Sequence, residues 1–296
     1  MRFNDVVHQA NSSISTHPLR VCLIILAMSI GISSVTVLTA LGDSARRYIM
    51  HEFEALGTHL LIILPGRTET TGGQPPLFGA TPRDLTLADA NALANLSTIV
   101  AIAPITIGAA PVSVRGLERE STVIGSTAAL QKVRHLSLAQ GNFLPKQALS
   151  KKERPVCIIG QTIQHQLFAQ QNPIGQWLRI SNRRYRVIGV LASEGQSIGV
   201  DFDNMVIIPV QAAQSLFNTQ GLFRILIETN SQKGMQQASE HIKAIIRERH
   251  AGEEDITLIT QDSVVSTFDD ILSTLTLTVT SIASISLIVS GILIMN

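Results

Sequence analysis

The sequence VCLIILAMSIGISSVTVLTAL, residues 21–41, decides how the rest of the chain is interpreted. None of its 21 residues is Asp, Glu, Lys, Arg or His. An α-helix of this length, with a rise of about 1.5 Å per residue, would extend about 31 Å, which matches the hydrocarbon core of a bilayer. The stretch therefore predicts a transmembrane helix, which we place at residues 21–42.

Two other interpretations of this stretch are weaker. A cleavable signal peptide has an apolar core of about 7–15 residues followed by a small-x-small cleavage site. Here the apolar core is longer, and Leu41 interrupts the small residues Thr39, Ala40 and Gly42. A buried helix of a soluble domain seldom runs so far without an ionisable residue. We therefore expect the helix to be retained in the membrane.

A second stretch without ionisable residues, 271–295, lies near the other end of the sequence. It predicts a second transmembrane helix over residues 271–296. The stretch is rich in Ser and Thr, which a membrane helix tolerates because each hydroxyl can bond to the preceding turn. The alternative is an apolar helix of a soluble domain.

Small residues recur every four positions on the second predicted helix, at Thr276, Thr280 and Ser284. Such a stripe lets another helix approach closely in lipid. Ser29 and Ser33 present a similar face on the first predicted helix. We therefore predict that these five residues form the faces through which the first and second predicted helices pack, within one protomer or between two.

Composition and charge exclude several classes of function. Only 15% of the residues are charged and the net charge is +1, so nothing indicates a nucleic-acid partner. The two cysteines, Cys22 and Cys157, lie in regions of different character, so we predict neither a disulfide nor a cysteine metal site. We predict no cofactor and no other metal site.

The region 43–270 alternates short apolar strands with amphipathic helices. Thr86 and Asp89 have the spacing of a capping box at a helix start. Strands are predicted at 99–107, 112–115 and 223–229, among others. A helix over 233–249 with a strand at 256–260 completes a strand–helix–strand unit.

No enzyme motif is complete. The stretch GQSIG at 195–199 matches the G-x-S-x-G nucleophile elbow, but a loop and a strand are predicted after Ser197 where the elbow needs a helix. His51 and Glu52 begin an H-E-x-x-H motif that lacks its second histidine. The sequence contains no phosphate-binding G-x-x-x-x-G-K-[ST] loop, and the other histidines are expected at the surface. We predict no catalytic residue.

Several stretches, taken in order, resemble MacB/FtsX-type ABC transporter permeases. The first two are GISSVTVLTALGDSAR at 31–46 and EALGTHLLIILPG at 54–66. The large region then contains, in the family's order, GQT at 160–162, NPIGQ at 172–176, RI at 179–180 and RVIGV at 186–190. The last stretch, ISLIVSGILIMN at 285–296, resembles the family's second transmembrane helix.

The resemblance implies a fold and an orientation. The expected class is an α+β extracytoplasmic domain between two transmembrane α-helices. Porter-like strand–helix–strand units would cover about 58–140 and 221–261, and an inserted, mostly β lobe about 141–220. Residues 1–20, whose apolar positions recur every three to four residues, would form a cytoplasmic amphipathic segment. The domain at 43–270 would lie in the periplasm and the helices in the inner membrane.

The resemblance also implies a function, that of a non-catalytic permease subunit in a MacB-type efflux system. The expected partners are a separate ABC ATPase, a second copy or a paralogous permease, a periplasmic adaptor with an outer-membrane channel, and membrane lipid. Such permeases have four transmembrane helices, so this chain is expected to be truncated or split after its second. The alternatives are a lipoprotein-releasing ABC permease, a membrane-anchored ligand-binding sensor and, on Ser197 alone, a membrane-anchored hydrolase.

Overall fold

The computed structural model describes most of the chain, and these residues fall into two compact units. The described residues are 18–56, 59–66, 83–146, 154–169, 171–193, 196–197, 200–253 and 255–295. A helical unit belongs to residues 1–51 and 262–296, and a central unit comprises residues 52–261. The predicted amphipathic segment lies almost entirely outside the described residues.

The described elements are seven helices and twelve strands. The helices are α1 (Pro18–Leu56), α2 (Leu87–Leu93), α3 (Ala129–Val133), α4 (Gln161–Ile163, continued by a π-helical turn Gln164–Phe168), α5 (Val210–Phe217), α6 (Gln232–Arg249) and α7 (Gln261–Met295). The strands are β1 (Leu60–Pro65), β2 (Ile99–Val114), β3 (Leu117–Ser126), β4 (Leu138–Gly141), β5 (Val156–Ile159), β6 (Trp177–Ile180), β7 (Arg183–Leu191), β8 (Gln196–Ser197), β9 (Val200–Asp201), β10 (Met205–Pro209), β11 (Arg224–Thr229) and β12 (Ile256–Thr260).

Helices α1 and α7 contain the two uncharged stretches, as predicted, and both extend beyond them. By length and composition, the segment Met28–Tyr48 of α1 is able to cross a membrane, and 6% of it is buried. α7 begins at Gln261, ten residues before the predicted second membrane helix. The additional turns are polar, so both helices continue past the apolar part of their sequence.

Ten strands of the central unit form one mixed sheet in the order β12-β1-β11-β2-β3-β10-β5-β7-β4, with β6 pairing to β2 and β7. Most pairs are antiparallel, whereas β10 with β3 and β5 with β7 are parallel. The mixed α/β fold is confirmed. The predicted division into porter-like units and a lobe stays a prediction, and β3 and β10, which it separates, are paired.

Strand β2 joins the two ends of this sheet. It pairs with β11 over its first residues, and from Thr106 onward it pairs with β3. The separate strands predicted at 99–107 and 112–115 are therefore one strand of 16 residues. A two-residue turn at Arg115 and Gly116, both with positive φ, then reverses the chain into β3. Positive φ at both positions is typical of a type I′ hairpin turn.

The core of the central unit lies on both faces of the sheet. Helices α2 and α6 cover one face near β1 and β11, where Leu61, Ile63 and Ile225 are fully buried. Helix α6, which was predicted at 233–249, buries Met235, Ala238, Ile242 and Ile246 against this face. The helices therefore fix the end of the sheet that contains β1 and β12.

Candidate functional site

Helices α1 and α7 contact each other in an antiparallel pair. Gly42 is buried, and a Cβ atom at this position would lie 3.2 Å from Cδ1 of Leu272. One turn further along α1, Nη2 of Arg46 lies 3.5 Å from Oδ2 of Asp269. The absent side chain at Gly42 therefore allows close approach, and an ion pair holds the polar end of the contact.

Along part of each helix, the less exposed residues follow alternating spacings of three and four. Between residues 28 and 45 of α1 they are Met28, Gly31, Val35, Leu38, Gly42 and Ala45, and between residues 269 and 279 of α7 they are Asp269, Leu272, Thr276 and Val279. This is the repeat with which two helices pack side by side at a small crossing angle. Gly42 and Leu272, which make the recorded contact, both belong to this repeat.

The five residues predicted to pack helices together take two different positions. Thr276 is half-buried and lies one turn from Leu272 on the less exposed side of α7. Ser29, Ser33, Thr280 and Ser284 are exposed in the single chain, and the Ser284 hydroxyl donates to the Thr280 carbonyl at 2.8 Å. Their packing stays a prediction.

Both helices are joined to neighbouring strands of the sheet. Helix α7 begins at Gln261, directly after the last residue of β12, and α1 ends at Leu56, shortly before β1 begins at Leu60. Strands β1 and β12 pair antiparallel, from Leu61 opposite Thr260 to Pro65 opposite Ile256. In chain order, α1 thus precedes one member of a single hydrogen-bonded strand pair and α7 follows the other.

A buried polar network lies near the far end of this strand pair. Asp89, which is 2% exposed, accepts hydrogen bonds from Thr86 N at 2.9 Å and from Thr86 Oγ1 at 2.7 Å, which confirms the predicted capping box. Arg249 Nε donates to the other Asp89 oxygen at 2.6 Å. Burial acts to raise the pKa of Asp89, but the bonds from Arg249, Thr86 and His250 outweigh it and lower that pKa.

His250 completes the network and corrects one prediction. It was expected at the surface, yet it is 5% exposed, with Nε2 lying 3.5 Å from Asp89 and Nδ1 lying 2.5 Å from Asp255. The backbone of Asp255 accepts from Gly66 N at 2.7 Å, at the end of β1. The network thus links α2, the end of α6 and the residues that flank β1 and β12. Sequence pattern around His250 gave no signal for this role.

Neither a metal centre nor a nucleophile elbow emerges from the described residues. No group of three or more His, Cys, Asp and Glu in that part of the chain could hold a metal ion. Ser197 lies in the short strand β8, opposite Val200 of β9, and a 3₁₀ turn and β10 follow. The described residues after Ser197 therefore do not form the α-helix that the elbow needs.

Comparison with known families gives one match that covers most of the chain. The model of the MacB-like periplasmic core domain matches residues 21–245. The pyoverdine export ATP-binding/permease protein PvdT of Pseudomonas syringae pv. syringae is 30% identical over 280 residues, covering 94% of this chain and 41% of that protein. The macrolide export ATP-binding/permease protein MacB of Wolinella succinogenes is 28% identical, covering 99% of this chain and 45% of that protein. This chain thus spans less than half the length of these relatives.

Solved structures share the fold of the central unit. The periplasmic region of MacB from Actinobacillus actinomycetemcomitans superposes with a TM-score of 0.62 at 19% identity, covering 75% of this chain and 98% of that one. The extracellular domain of the transporter YknZ from Gram-positive bacteria superposes with a TM-score of 0.55 at 17% identity, covering 68% of this chain and all of that one. At such identities the likeness concerns the fold alone.

Proposed function

The chain belongs to the MacB-like periplasmic core domain family of ABC transporter permeases, and we propose that it is a non-catalytic subunit of an export system. The relatives named as export ATP-binding/permease proteins support this proposal. Because these relatives are named as ATP-binding/permease proteins, we assign ATP hydrolysis in this system to an ABC ATPase that acts with the chain. We place the helices in the inner membrane and the central unit in the periplasm.

In this proposal, ATP hydrolysis moves α1 and α7, and the strands β1 and β12 carry that movement into the sheet. The observation that supports it is the direct junction at Thr260 and Gln261, where no linker separates β12 from α7. A flexible linker would absorb a displacement of the helix, whereas a direct junction does not. The hydrogen-bonded pair of β1 and β12 makes the two helices act on one element. The substrate would then be handled on the periplasmic side.

We further propose that two protomers associate through their membrane helices. Ser29 and Ser33 on α1 and Thr280 and Ser284 on α7 are exposed in the single chain and small enough for close approach. The second protomer would be another copy or a paralogue. A periplasmic adaptor and an outer-membrane channel would complete the route out of the cell.

An inserted linker tests the coupling. The chain is assembled with its ATPase, with spin labels on a cysteine replacing the exposed Gln236 in each protomer. ATP is expected to change the separation of the labels. Insertion of the four residues Gly-Ser-Gly-Ser between Thr260 and Gln261 should remove most of the ATP-dependent change in label separation while ATP hydrolysis continues.

The same insertion in the exposed turn between Ser181 and Asn182 serves as the control, and it should leave the change in separation intact. If the variant with the junction insertion kept the full ATP-dependent change, the direct junction would not be the coupling element. A chain whose labels never respond to ATP, even without an insertion, would contradict the proposed function itself.

A further inference from the structure

The outer faces of β6 and β7 carry an unusual set of exposed side chains. Leu178, Ile180, Tyr185 and Val187 point inward and are buried. The alternating positions are exposed, and with the arginine of the adjoining β2–β3 turn they form a surface that we call the basic platform. Its members are Arg115, Trp177, Arg179, Arg184 and Arg186.

Strand register places like charges side by side on the basic platform. Arg179 of β6 lies directly opposite Arg184 of β7, and Trp177 lies opposite Arg186. On the other side of β6, Arg179 pairs with Ser113, which in turn pairs with Glu118 of β3. Like charges directly opposite each other destabilise an antiparallel pair. Stability of the fold therefore does not explain the pair of Arg179 and Arg184.

The platform arginines are not neutralised within the described part of the chain. Arg184 makes no side-chain hydrogen bond or ion pair there, and Arg179 Nε donates to the Ser181 carbonyl at 2.8 Å. Arg186 Nε donates to the Gly175 carbonyl at 3.2 Å, and Arg115 donates to the side chain of Gln171 at 2.5 Å. These neutral acceptors hold three of the guanidinium groups in place but leave their charges unpaired.

An exposed aromatic ring lies among these charges. Trp177 is the only tryptophan of the chain, and it is 57% exposed. It lines a recess of about 390 Å³ together with Ser113, Val114, Arg115, Gly116, Glu118, Arg179 and Arg184. Trp and Arg, together with Tyr, are enriched among the few interface residues that contribute most of the binding free energy. The recess has room for a side chain of a partner.

We propose that the basic platform is the docking surface of a partner protein that presents an acidic segment. A carboxylate of the partner would lie between Arg179 and Arg184, because a guanidinium binds a carboxylate through two parallel hydrogen bonds. The side chain next to it would pack on Trp177. The negative charge of the bound carboxylate would relieve the repulsion between Arg179 and Arg184 that the strand register imposes. The inference goes beyond the helix coupling and does not depend on it.

The single tryptophan makes the proposal directly measurable. Purified full-length chain in neutral detergent is titrated with poly-L-glutamate and, separately, with phosphatidylglycerol vesicles, while the emission of Trp177 is recorded. Poly-L-glutamate should shift the emission, and added salt should weaken the effect. Replacing Arg179 and Arg184 by Glu should lower the apparent affinity by about tenfold or more, since two groups that bind carboxylates are replaced by carboxylates that repel the probe.

The control variant carries Arg83→Glu and Lys233→Glu, which make the same change in net charge at exposed positions away from the platform. It should bind poly-L-glutamate as the unchanged chain does. An absent emission shift, an equal loss in both variants, or a response to the vesicles alone would overturn the proposal.

A second measurement identifies the partner in cells. A photo-cross-linking amino acid replaces Leu117, which is 56% exposed beside the turn. It should cross-link to a segment that contains Asp or Glu. Changing those acids to Arg should abolish the product, and Arg179→Glu with Arg184→Glu should then restore it. Cross-linking to lipid, to a segment without carboxylates, or to nothing would contradict the proposal.

Discussion

Nδ1 of His250 lies 2.5 Å from Oδ1 of Asp255, and both side chains are almost completely buried. On its other side, Nε2 of the same ring lies 3.5 Å from Asp89, which also receives the hydrogen bond of Arg249. An imidazole between two buried carboxylates depends on both of them, since a buried polar group without its partner is costly. The network therefore holds α2 and α6 at the end of the sheet where β1 and β12 pair.

Replacing Asp89 by Asn should destabilise the central unit by about 3 kcal/mol, because Arg249 and His250 would lose the charge that they surround. The measurement is the free energy of unfolding, followed by the circular dichroism of the chain in denaturant. Glu240→Gln makes the same change of acid to amide at an exposed position of α6 and should have almost no effect. Equal stability of the two variants would mean that the network does not stabilise the fold.

The contribution of Asp89 should also depend on pH. Its pKa is lowered in the folded state, so the ionised form is favoured by folding. The stabilisation is fully present above the unfolded pKa of about 3.9 and is lost as the pH falls through the folded value. The difference in stability between the unchanged chain and Asp89→Asn should therefore narrow below about pH 4. A difference that stayed constant down to pH 2 would contradict this assignment.

Local sequence predicted part of this network and not the rest. The capping box of Thr86 and Asp89 is a pattern within four residues, so the sequence shows it directly. The partners of Asp89 from α6 are about 160 residues away along the chain, and only the fold brings them together. His250 was expected at the surface because it is part of no motif in the sequence, and local sequence cannot show partners so remote.

Strand β2 is a second feature that local sequence alone could not predict correctly. Two strands were predicted at 99–107 and 112–115, and the residues between them include Gly108 and Pro111, which usually weaken a strand interior. In the sheet, Pro111 still accepts a hydrogen bond from Ser181 N at 2.8 Å, and the ring of Phe217 occupies the space beside Gly108. Neighbours that are remote in sequence thus stabilise a continuous strand. In the same way, only the pairing register of β6 with β7 shows that Arg179 faces Arg184.

Replacing Gly42 by Leu should separate α1 from α7. A Cβ atom at position 42 already lies 3.2 Å from the Leu272 side chain, so a larger group must push that helix away. Cysteines in place of Arg46 and Asp269, in a chain with Cys22→Ser, should be joined readily by a short bifunctional thiol reagent and much less readily with Leu at position 42. Val37→Leu, at a position that is 61% exposed, is the matched control. Equal cross-linking yields in the two variants would exclude this contact.

Cys157 should be unreactive in the folded chain. It is fully buried, and burial raises the pKa of its thiol, so the reactive thiolate is scarce. In a Cys22→Ser background, a maleimide reagent at pH 8 should label Cys157 only after denaturant is added. Labelling of the native chain at the rate of a free thiol would show that the core around β5 opens.

The last prediction concerns association of two protomers. Thr280 and Ser284 are exposed on α7, and their hydroxyls and small size suit close contact with a helix of another chain. Replacing both by Leu keeps the segment apolar but holds a second helix further away. Because a polar contact between membrane helices contributes about 0.6 kcal/mol, the double change should weaken association by roughly 1 kcal/mol, or about fivefold. The dissociation constant of the two protomers is measured by energy transfer between differently labelled protomers in lipid vesicles.

The control for that change lies on another face of the same helix. Thr274 and Thr278 are also exposed, and each hydroxyl donates to the carbonyl four residues earlier, at 2.9 Å and 2.8 Å. Replacing both by Leu therefore changes hydrophobicity and hydroxyl content in nearly the same way, and it should leave association unchanged. Equal weakening in the two double variants would show that general polarity governs association. Unchanged association in the variant of Thr280 and Ser284 would remove this face from the interface.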